Sequence, residues 1–329
     1  MESVTTPETD VQFAKNDASD PVDLAVIIVS WNVKDLLLQN LEAMRKSTGN
    51  ISARVIVVDN ASNDGSVEAI QGSADVLVIA NTANLGFAKA VNQGIAKANA
   101  RHVVLLNPDM KVSPDALTKT VAYLDAHPDI GVLGGKLLKA DGSVLPSVRR
   151  LPDVWSQTAT LLKLPHLFPK MLDQYMYSDF NYTKEQEAPS IRGSYFAMSN
   201  KALEKLGGLD ERFFIWFEEV DYCVQASKAG LKIMYVPSIT SQDFVGKSFA
   251  QRKRYWKQVQ FSRSMSQFFW KWHAGWQAML ISLIRPLPIA AAWLADQLIF
   301  CFCHSREDGN PALDGRSELG PRLRGDDKG

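Results

Sequence analysis

The stretch "VVLLNPDM", residues 103–110, brings a single carboxylate to the end of an apolar run. Val103 to Leu106 read as a buried strand, Asn107-Pro108 stops it, and Asp109 follows at once. A rigid turn that presents one acid suits a metal site as well as an ordinary loop tip. Three more polar stretches follow apolar runs: Ser30-Trp31-Asn32, Asp59-Asn60 and "NTAN" at 81–84. Amides and carboxylates in such places can hold a nucleotide's base and ribose. An acid after the fourth run can hold a hard divalent cation that bridges phosphates. A separate acidic cluster, "FEEVDYC", puts Glu218, Glu219 and Asp221 where a helix is expected to begin. Acids in a first turn complement the helix dipole, whatever else they do.

These groups need a frame, and the pattern from Asp23 onward supplies one. "LAVIIVSW", "ARVIVVDN", "DVLVIA" and "RHVVLLN" are short apolar runs, each followed by helical spacing. Val33, Leu36, Leu37, Leu41 and Met44 share one helical face; Phe87, Ala90, Val91, Ile95 and Ala98 share another. "SPDALTKTVAYLDAHP" is expected as a helix with Ser113 as N-cap and Pro114 at its first position. Continuous apolar strands alternating with helices imply a mostly parallel sheet covered on both faces. Parallel strands carry all four polar ends to one edge, where ligands of such sheets bind.

The second half is less regular. "KLLKADGSVLPSV" suggests a hairpin around Asp141-Gly142, and "IRGSYFAMS" and "LKIMYVP" suggest strands. "NKALEKLGGLD" and "FEEVDYCVQASKAG" suggest helices ended by glycine, the second with Phe217, Val220 and Val224 on its apolar face. Residues 152–189 show no clean period.

Composition narrows the function. Lys+Arg and Asp+Glu both number 36, so the chain lacks the basic excess of a nucleic-acid binder. Three cysteines build no disulfide framework, which points to a reducing compartment. No GxGxxG follows a strand and no GxxxxGK[ST] occurs, so neither a dinucleotide fingerprint nor a P-loop is expected. His102, His127, His166 and His273 make no ligand spacing with one another. Residues 1–22 contain no apolar signal segment and are expected to be disordered.

"VVDNASNDGS", "NLGFAKAVNQG", "LLNPDM" and "FFIWFEEVDYCVQASKAG", in that order, resemble a family 2 glycosyltransferase of the rhamnosyltransferase-like branch that builds bacterial cell-surface polysaccharide. The resemblance covers about residues 23–275. It implies a GT-A fold over 23–250: a mostly parallel central sheet with helices on both faces, plus a C-terminal helical extension. It implies an inverting, metal-dependent enzyme that moves a sugar from a nucleotide-sugar to a glycan or lipid-linked glycan acceptor, using Mg²⁺ or Mn²⁺. The branch suggests dTDP-rhamnose as donor and the cytoplasmic face of the membrane as location. Carried over by position, Ser30, Asn32, Asp59, Asn84, Gly86 and Phe87 contact the nucleotide. Asp109 matches the final acid of a DxD element and is the implied metal ligand, and Asn107, at the element's first position, is an implied nucleotide-sugar contact. Glu219, or its neighbour Glu218, is the catalytic base. Asp221 is structural or faces the acceptor. Arg192 is a candidate to neutralise diphosphate, with Arg149 and Arg150 as weaker ones.

The sequence departs from the family pattern in three ways. Glu219 stands where the family more often has aspartate, with a reach one methylene longer. Asn107 leaves the metal site one charge short. In "DFVGKS", Asp243 stands where the family often has a histidine ligand, and an oxygen donor there suits Mg²⁺ or Mn²⁺. Asp243 is therefore expected to restore the missing charge.

Residues 251–303 are basic, aromatic and then apolar. "QRKRYW" is a near miss to the QxxRW element of processive synthases, which also carry several spanning helices. Residues 276–303 are interrupted by Arg285, Pro286, Pro288 and Asp296, so a surface contact with membrane is expected rather than a span. Packing of this segment on the domain is the plainer alternative. The tail, 304–329, differs in composition, resembles a read-through of a repetitive bacterial element, and is expected to be disordered. Three rivals remain: a processive polysaccharide synthase subunit, a nucleotidyltransferase, whose glycine-rich basic signature "VSWNVKD" lacks, and a non-catalytic glycan- or lipid-binding module with a decayed site.

Overall fold

The computed structural model describes residues 10–14, 20–47, 49–244 and 251–307; side chains are described to residue 298. The expected disorder of the tail beyond 307, and Gly246 and Ser248 of "DFVGKS", lie outside the described residues.

The alternation read from the first half is the fold. Strand β1 is Gln12–Phe13, β2 Val22–Ser30, β3 Ser52–Asp59, β4 Val76–Ala80 and β5 Ala100–Leu106. Helices α1 (Lys34–Arg45), α2 (Ser66–Ile70) and α3 (Phe87–Ala98) connect β2 through β5. β4, β3, β2 and β5 lie side by side and parallel. Their apolar side chains fill cores on both faces of the sheet. That double burial is why the strands are unbroken Val, Ile and Leu rather than alternating.

The N-terminal stretch differs from its expected disorder. Val11 is buried, and Gln12–Phe13 pairs with Ser52 and Ala53 at the edge of β3. The Gln12 and Ala14 amides donate to the Ile51 and Ala53 carbonyls at 3.0 and 2.7 Å. An unpaired strand edge is a template for any extended segment, and here it takes the chain's own.

The second half turns the sheet around. β6 is Met110–Val112, α4 Ala116–Ala126, β7 Ile130–Leu138, β8 Val144–Leu145 and β9 Val148–Arg149. α4 begins later than expected: Asp115 is its N-cap residue without a side-chain bond, and Ser113 contributes only its carbonyl, to Ala116 N–H at 3.0 Å. β7 and β8 form the expected hairpin, but β7 reaches back to Ile130, where its glycines had obscured a strand. Helix α5 (Val154–Leu161) is capped by Asp153, which accepts from the Trp155 and Ser156 amides. Two short 3-10 turns and α6 (Asp173–Met176) follow. Strands β10 (Gln186–Glu187), β11 (Ser190–Ile191) and β12 (Tyr195–Met198) lead to α7 (Asn200–Leu206), α8 (Glu218–Lys228) and β13 (Lys232–Asp243). β12 inserts antiparallel between β5 and β7, and β13 runs parallel to β7 while its end also pairs antiparallel with β6. The sheet is thus mixed: β6, β8, β10 and β12 run against the parallel set.

The C-terminal part is helical: α9 (Arg254–Trp272), α10 (Gly275–Ile284) and α11 (Pro286–Glu307). A third core joins it to the rest, with Met265, Phe268, Phe269, Ala278 and Ile281 packed against Val154, Leu161, Phe213, Phe217 and Val224. Each fully buried Phe in it contributes roughly 1.5–3 kcal/mol over exposure. Residues 275–298 are long and apolar enough to cross a membrane by length and composition, with 17% of the window buried. Asp296 is used internally: it accepts the Tyr255 amide at 3.0 Å, capping the start of α9.

Candidate active site

The parallel strands converge as expected, and the loops after them line one cavity of about 210 Å³. Its walls include Asn84, Gly86, Phe87, Asn107, Asp109, Arg192, Glu218, Glu219 and Asp243. Nine residues singled out from the sequence therefore meet in one place, although they span 160 positions (243 − 84 + 1) of the chain.

Ser30, Asn32 and Asp59 do not line it. Asp59 is buried and accepts from the Ser62 amide at 2.7 Å and from its hydroxyl. The Ser62 oxygen accepts the Asn32 amide at 2.8 Å, and the Asn32 side chain accepts the Asn63 amide at 2.9 Å. Ser30 is fully buried. These three fix the turns after β2 and β3. Asn60, the next residue, reaches the cavity instead: its Nδ2 donates to the Gly86 carbonyl at 3.1 Å.

Gly86 is where the loop depends on glycine. Its φ is +91°, and a Cβ there would lie 2.6 Å from the Phe214 carbonyl oxygen. Phe87 N–H donates to that same oxygen at 2.7 Å. The close approach binds the loop before α3 to the segment before α8.

The Asn107-Pro108-Asp109 turn is held from two sides. Asn40, buried in the middle of α1, donates to the Asn107 carbonyl at 2.8 Å. Asn107 N–H donates to the Ser194 carbonyl at 3.0 Å. Asp109 leads into β6 and Asp243 sits opposite Met110 across the β6–β13 pair. The Phe244 amide donates to the Asp109 carbonyl at 3.0 Å. The two buried acids are thus brought to neighbouring places on the cavity wall by the antiparallel pairing of β6 with the end of β13. Among the described residues no group of three or more His, Cys, Asp or Glu forms a metal cluster.

The acids of α8 are delivered by strained backbone. Trp216 and Phe217 have φ of +64° and +71°, and neither is glycine. Such residues cost roughly 1–3 kcal/mol each and persist only where packing over-determines them. Phe217 is buried against Phe261 and Phe268, and Trp216 packs edge-on against Phe261. The bend turns Glu218 and Glu219 into the cavity. Burial raises the proton affinity of both, Glu218 well above the ordinary glutamate value, and the Glu219 charge pushes Glu218 further. Arg149 and Arg192 lie close enough to Glu219 to offset part of its burial. Of the two, Glu218 is raised further, because the Glu219 charge adds to its burial while Arg149 and Arg192 act on Glu219. Asp221, one turn away, faces Lys271 at 2.8 Å and Trp272 Nε1 at 2.7 Å, outside the cavity.

Sequence reasoning did not assign a site role to Trp31, Arg252 and Trp256. The Arg252 guanidinium lies 4.0 Å from the Trp31 ring and 4.9 Å from the Trp256 ring, and all three line the cavity. Gln251 Nε2 donates to the Asn32 carbonyl at 2.6 Å. The "QRKRYW" near miss was the available signal. The structure places its Gln and first Arg against the turn after β2, with the Trp beside that Arg.

The sequence model of Glycosyl transferase family 2 matches residues 25–207, more than half of the chain. The protein belongs to that family. The transferase is 29% identical over 233 residues to the N-acetylglucosaminyl-diphospho-decaprenol L-rhamnosyltransferase of Mycobacterium tuberculosis, covering 65% of this chain and 74% of that one. It is 21% identical over 233 residues to the dTDP-rhamnosyl transferase RfbF of Shigella flexneri, covering 68% and 70%. Among solved structures it is similar to the mannosyltransferase PcManGT of Pyrobaculum calidifontis, solved with GDP-Man and Mn²⁺. The TM-score is 0.53 and the identity 19%, over 88% of this chain and 77% of that one. The transferase has the GT-A fold expected from its sequence, and it is an enzyme of the glycosyltransferase class. The nucleotidyltransferase and decayed-module alternatives fall away.

Proposed function

We propose that the transferase moves rhamnose from dTDP-rhamnose to a hydroxyl of a lipid-linked glycan, with inversion, in cell-surface polysaccharide synthesis. The observation that carries this reading is Glu219, a carboxyl group facing a cavity that Asp109 and Asp243 also line. The donor lies in the crevice against Asn60, Asn84 and Phe87, with its diphosphate toward Asp109, Asp243 and Arg192. Glu219 accepts the proton of the acceptor hydroxyl as that oxygen attacks the anomeric carbon from the face opposite the diphosphate. The bond to the diphosphate breaks, and its electron pair leaves with the nucleotide. One displacement gives inversion, and Glu219 ends protonated.

Two buried carboxylates on adjacent strands fit a hard divalent cation with oxygen ligands. When bound by Asp109 and Asp243, Mg²⁺ or Mn²⁺ would supply positive charge for the leaving diphosphate. The names of the mycobacterial and Shigella relatives support rhamnose as the sugar, and the first supports a lipid diphosphate acceptor. Such an acceptor places the enzyme at the cytoplasmic face of the membrane. The exposed Trp270, Trp276, Leu283 and Leu287 of the C-terminal helices suit peripheral contact there.

The test is hydrolysis of dTDP-rhamnose with Mn²⁺ titrated. Asp109→Ala is expected to abolish turnover. Asp243→Ala is expected to raise the metal concentration needed for half-maximal turnover. Wild-type protein inert toward a panel of nucleotide-sugars, or Asp109→Ala with full activity, would overturn the reading.

A further inference from the structure

A second cavity, of about 610 Å³, lies beside the first and is built by α5, α9 and α11. Its lining holds three cations, Lys163, Arg254 and Lys257, and no acid. None of the three makes an ion pair among the described residues. The remaining walls include Phe261, Pro288 and Ala292, which are apolar. Trp216 lines both cavities, so its side chain is the wall they share.

The placement of the cations runs against local stability. Arg254 and Lys257 sit in the first turn of α9, a 19-residue helix whose positive dipole end repels them. Lys253, the N-cap residue, adds a third positive charge at the same end. Asp296 caps this end through the Tyr255 amide, yet it does not line the cavity. Cations gathered at a helix N-terminus make an anion site, since side chains and amides act in the same direction. The apolar walls restrict which anion fits: a bare phosphate leaves them wet, and an isoprenoid tail covers them.

We infer that this cavity binds the diphosphate and first isoprene units of the lipid-linked acceptor. Its sugar then reaches past Trp216 toward Glu219. The inference rests on the lipid-linked acceptor of the proposed function. α11, which supplies Pro288 and Ala292, also exposes Leu287, Leu294 and Leu298, apolar surface for the rest of the chain.

The test uses the full chain in neutral detergent and measures binding of farnesyl diphosphate, inorganic pyrophosphate and farnesol. Farnesyl diphosphate is expected to bind wild-type protein, and Arg254→Ala/Lys257→Ala to weaken it at least tenfold. Ala292→Trp, which fills the cavity without changing charge, is expected to weaken it similarly. Binding of dTDP-rhamnose, followed in the same variants, is expected to stay within twofold of wild type. Two results would overturn the inference: farnesyl diphosphate bound equally by wild type and both variants, or pyrophosphate bound as tightly as farnesyl diphosphate. The second would reduce the site to an anion patch. Failure to bind or turn over dTDP-rhamnose would count against the proposed donor alone, because the isoprenoid readout does not depend on it.

Discussion

Glu219 and Asp221 stand two residues apart in the first turn of one helix, in the same dipole field, yet their surroundings differ in every other respect. Asp221 is fully buried and saturated: Lys271 Nζ, Trp272 Nε1 and Gln225 Nε2 all reach it, and Lys271 is shared with Asp210. Asp210 is itself held well below the usual carboxylate range by Arg212 and Lys271. Glu219 faces the cavity, and its Oε2 has no hydrogen-bond partner among the described residues. A helix dipole therefore does not tell a base from a structural acid. The groups that face each carboxylate do. Asp221 ties α8 to α9, while Glu219 is left able to take a proton.

The largest effect expected on this contrast is structural. Lys271→Met removes the cation from a buried pair and leaves Asp221 uncompensated, with a loss of about 3–5 kcal/mol of stability. Denaturant unfolding measures it; a loss below about 1 kcal/mol would make Asp221 as free as Glu219. The next effect is on Glu218. Its folded-state proton affinity is raised, so the native protein keeps a proton that the unfolded chain releases above about pH 4.3. Stability from this group is complete below that value and is lost as pH rises through the folded-state titration. Glu218→Gln is therefore expected to be more stable than wild type near pH 8, by on the order of 1 kcal/mol, with the gap closing toward acid pH. Thermal melts across pH decide the sign. The smallest effect is on the rate profile. Arg149 lies outside the cavity but lowers the proton affinity of Glu219. Arg149→Ala is expected to move the acid limb of kcat/KM to higher pH, and an unmoved limb would remove Arg149 from the site's electrostatics.

The donor side of this molecule was legible because its chemistry is local. Asp109 follows its strand directly, and Asn84 and Gly86 open the loop before α3, so runs of ten residues carried both placement and type. Asp243 was legible only through the family resemblance, since the pairing of β13 with β6 that brings it beside Asp109 is a long-range event. Asn40 could have been noticed as an amide on a face otherwise filled by Leu37, Leu41 and Met44, but its partner, the Asn107 carbonyl, lies 67 residues away. Trp216 and Arg252 lie just outside α8 and α9 and Trp256 in the first turn of α9, and tertiary packing alone brings them to the cavity. The N-terminal strand was missed for a related reason: two residues form no pattern, and the edge of β3 makes them a strand. Ser30, Asn32 and Asp59 were assigned to the nucleotide from position, and the structure gives them hydrogen bonds within the turns or full burial.

Glu219, and not Asp221, is the proposed base. Its role is tested most directly by the rate of sugar transfer to the lipid-linked acceptor in Glu219→Gln protein, with the melting temperature measured on the same sample. The account predicts a loss of about 10²- to 10⁴-fold in rate with melting close to wild type. Transfer within about threefold of wild type, far short of the 10²-fold that a general base supplies, would contradict it.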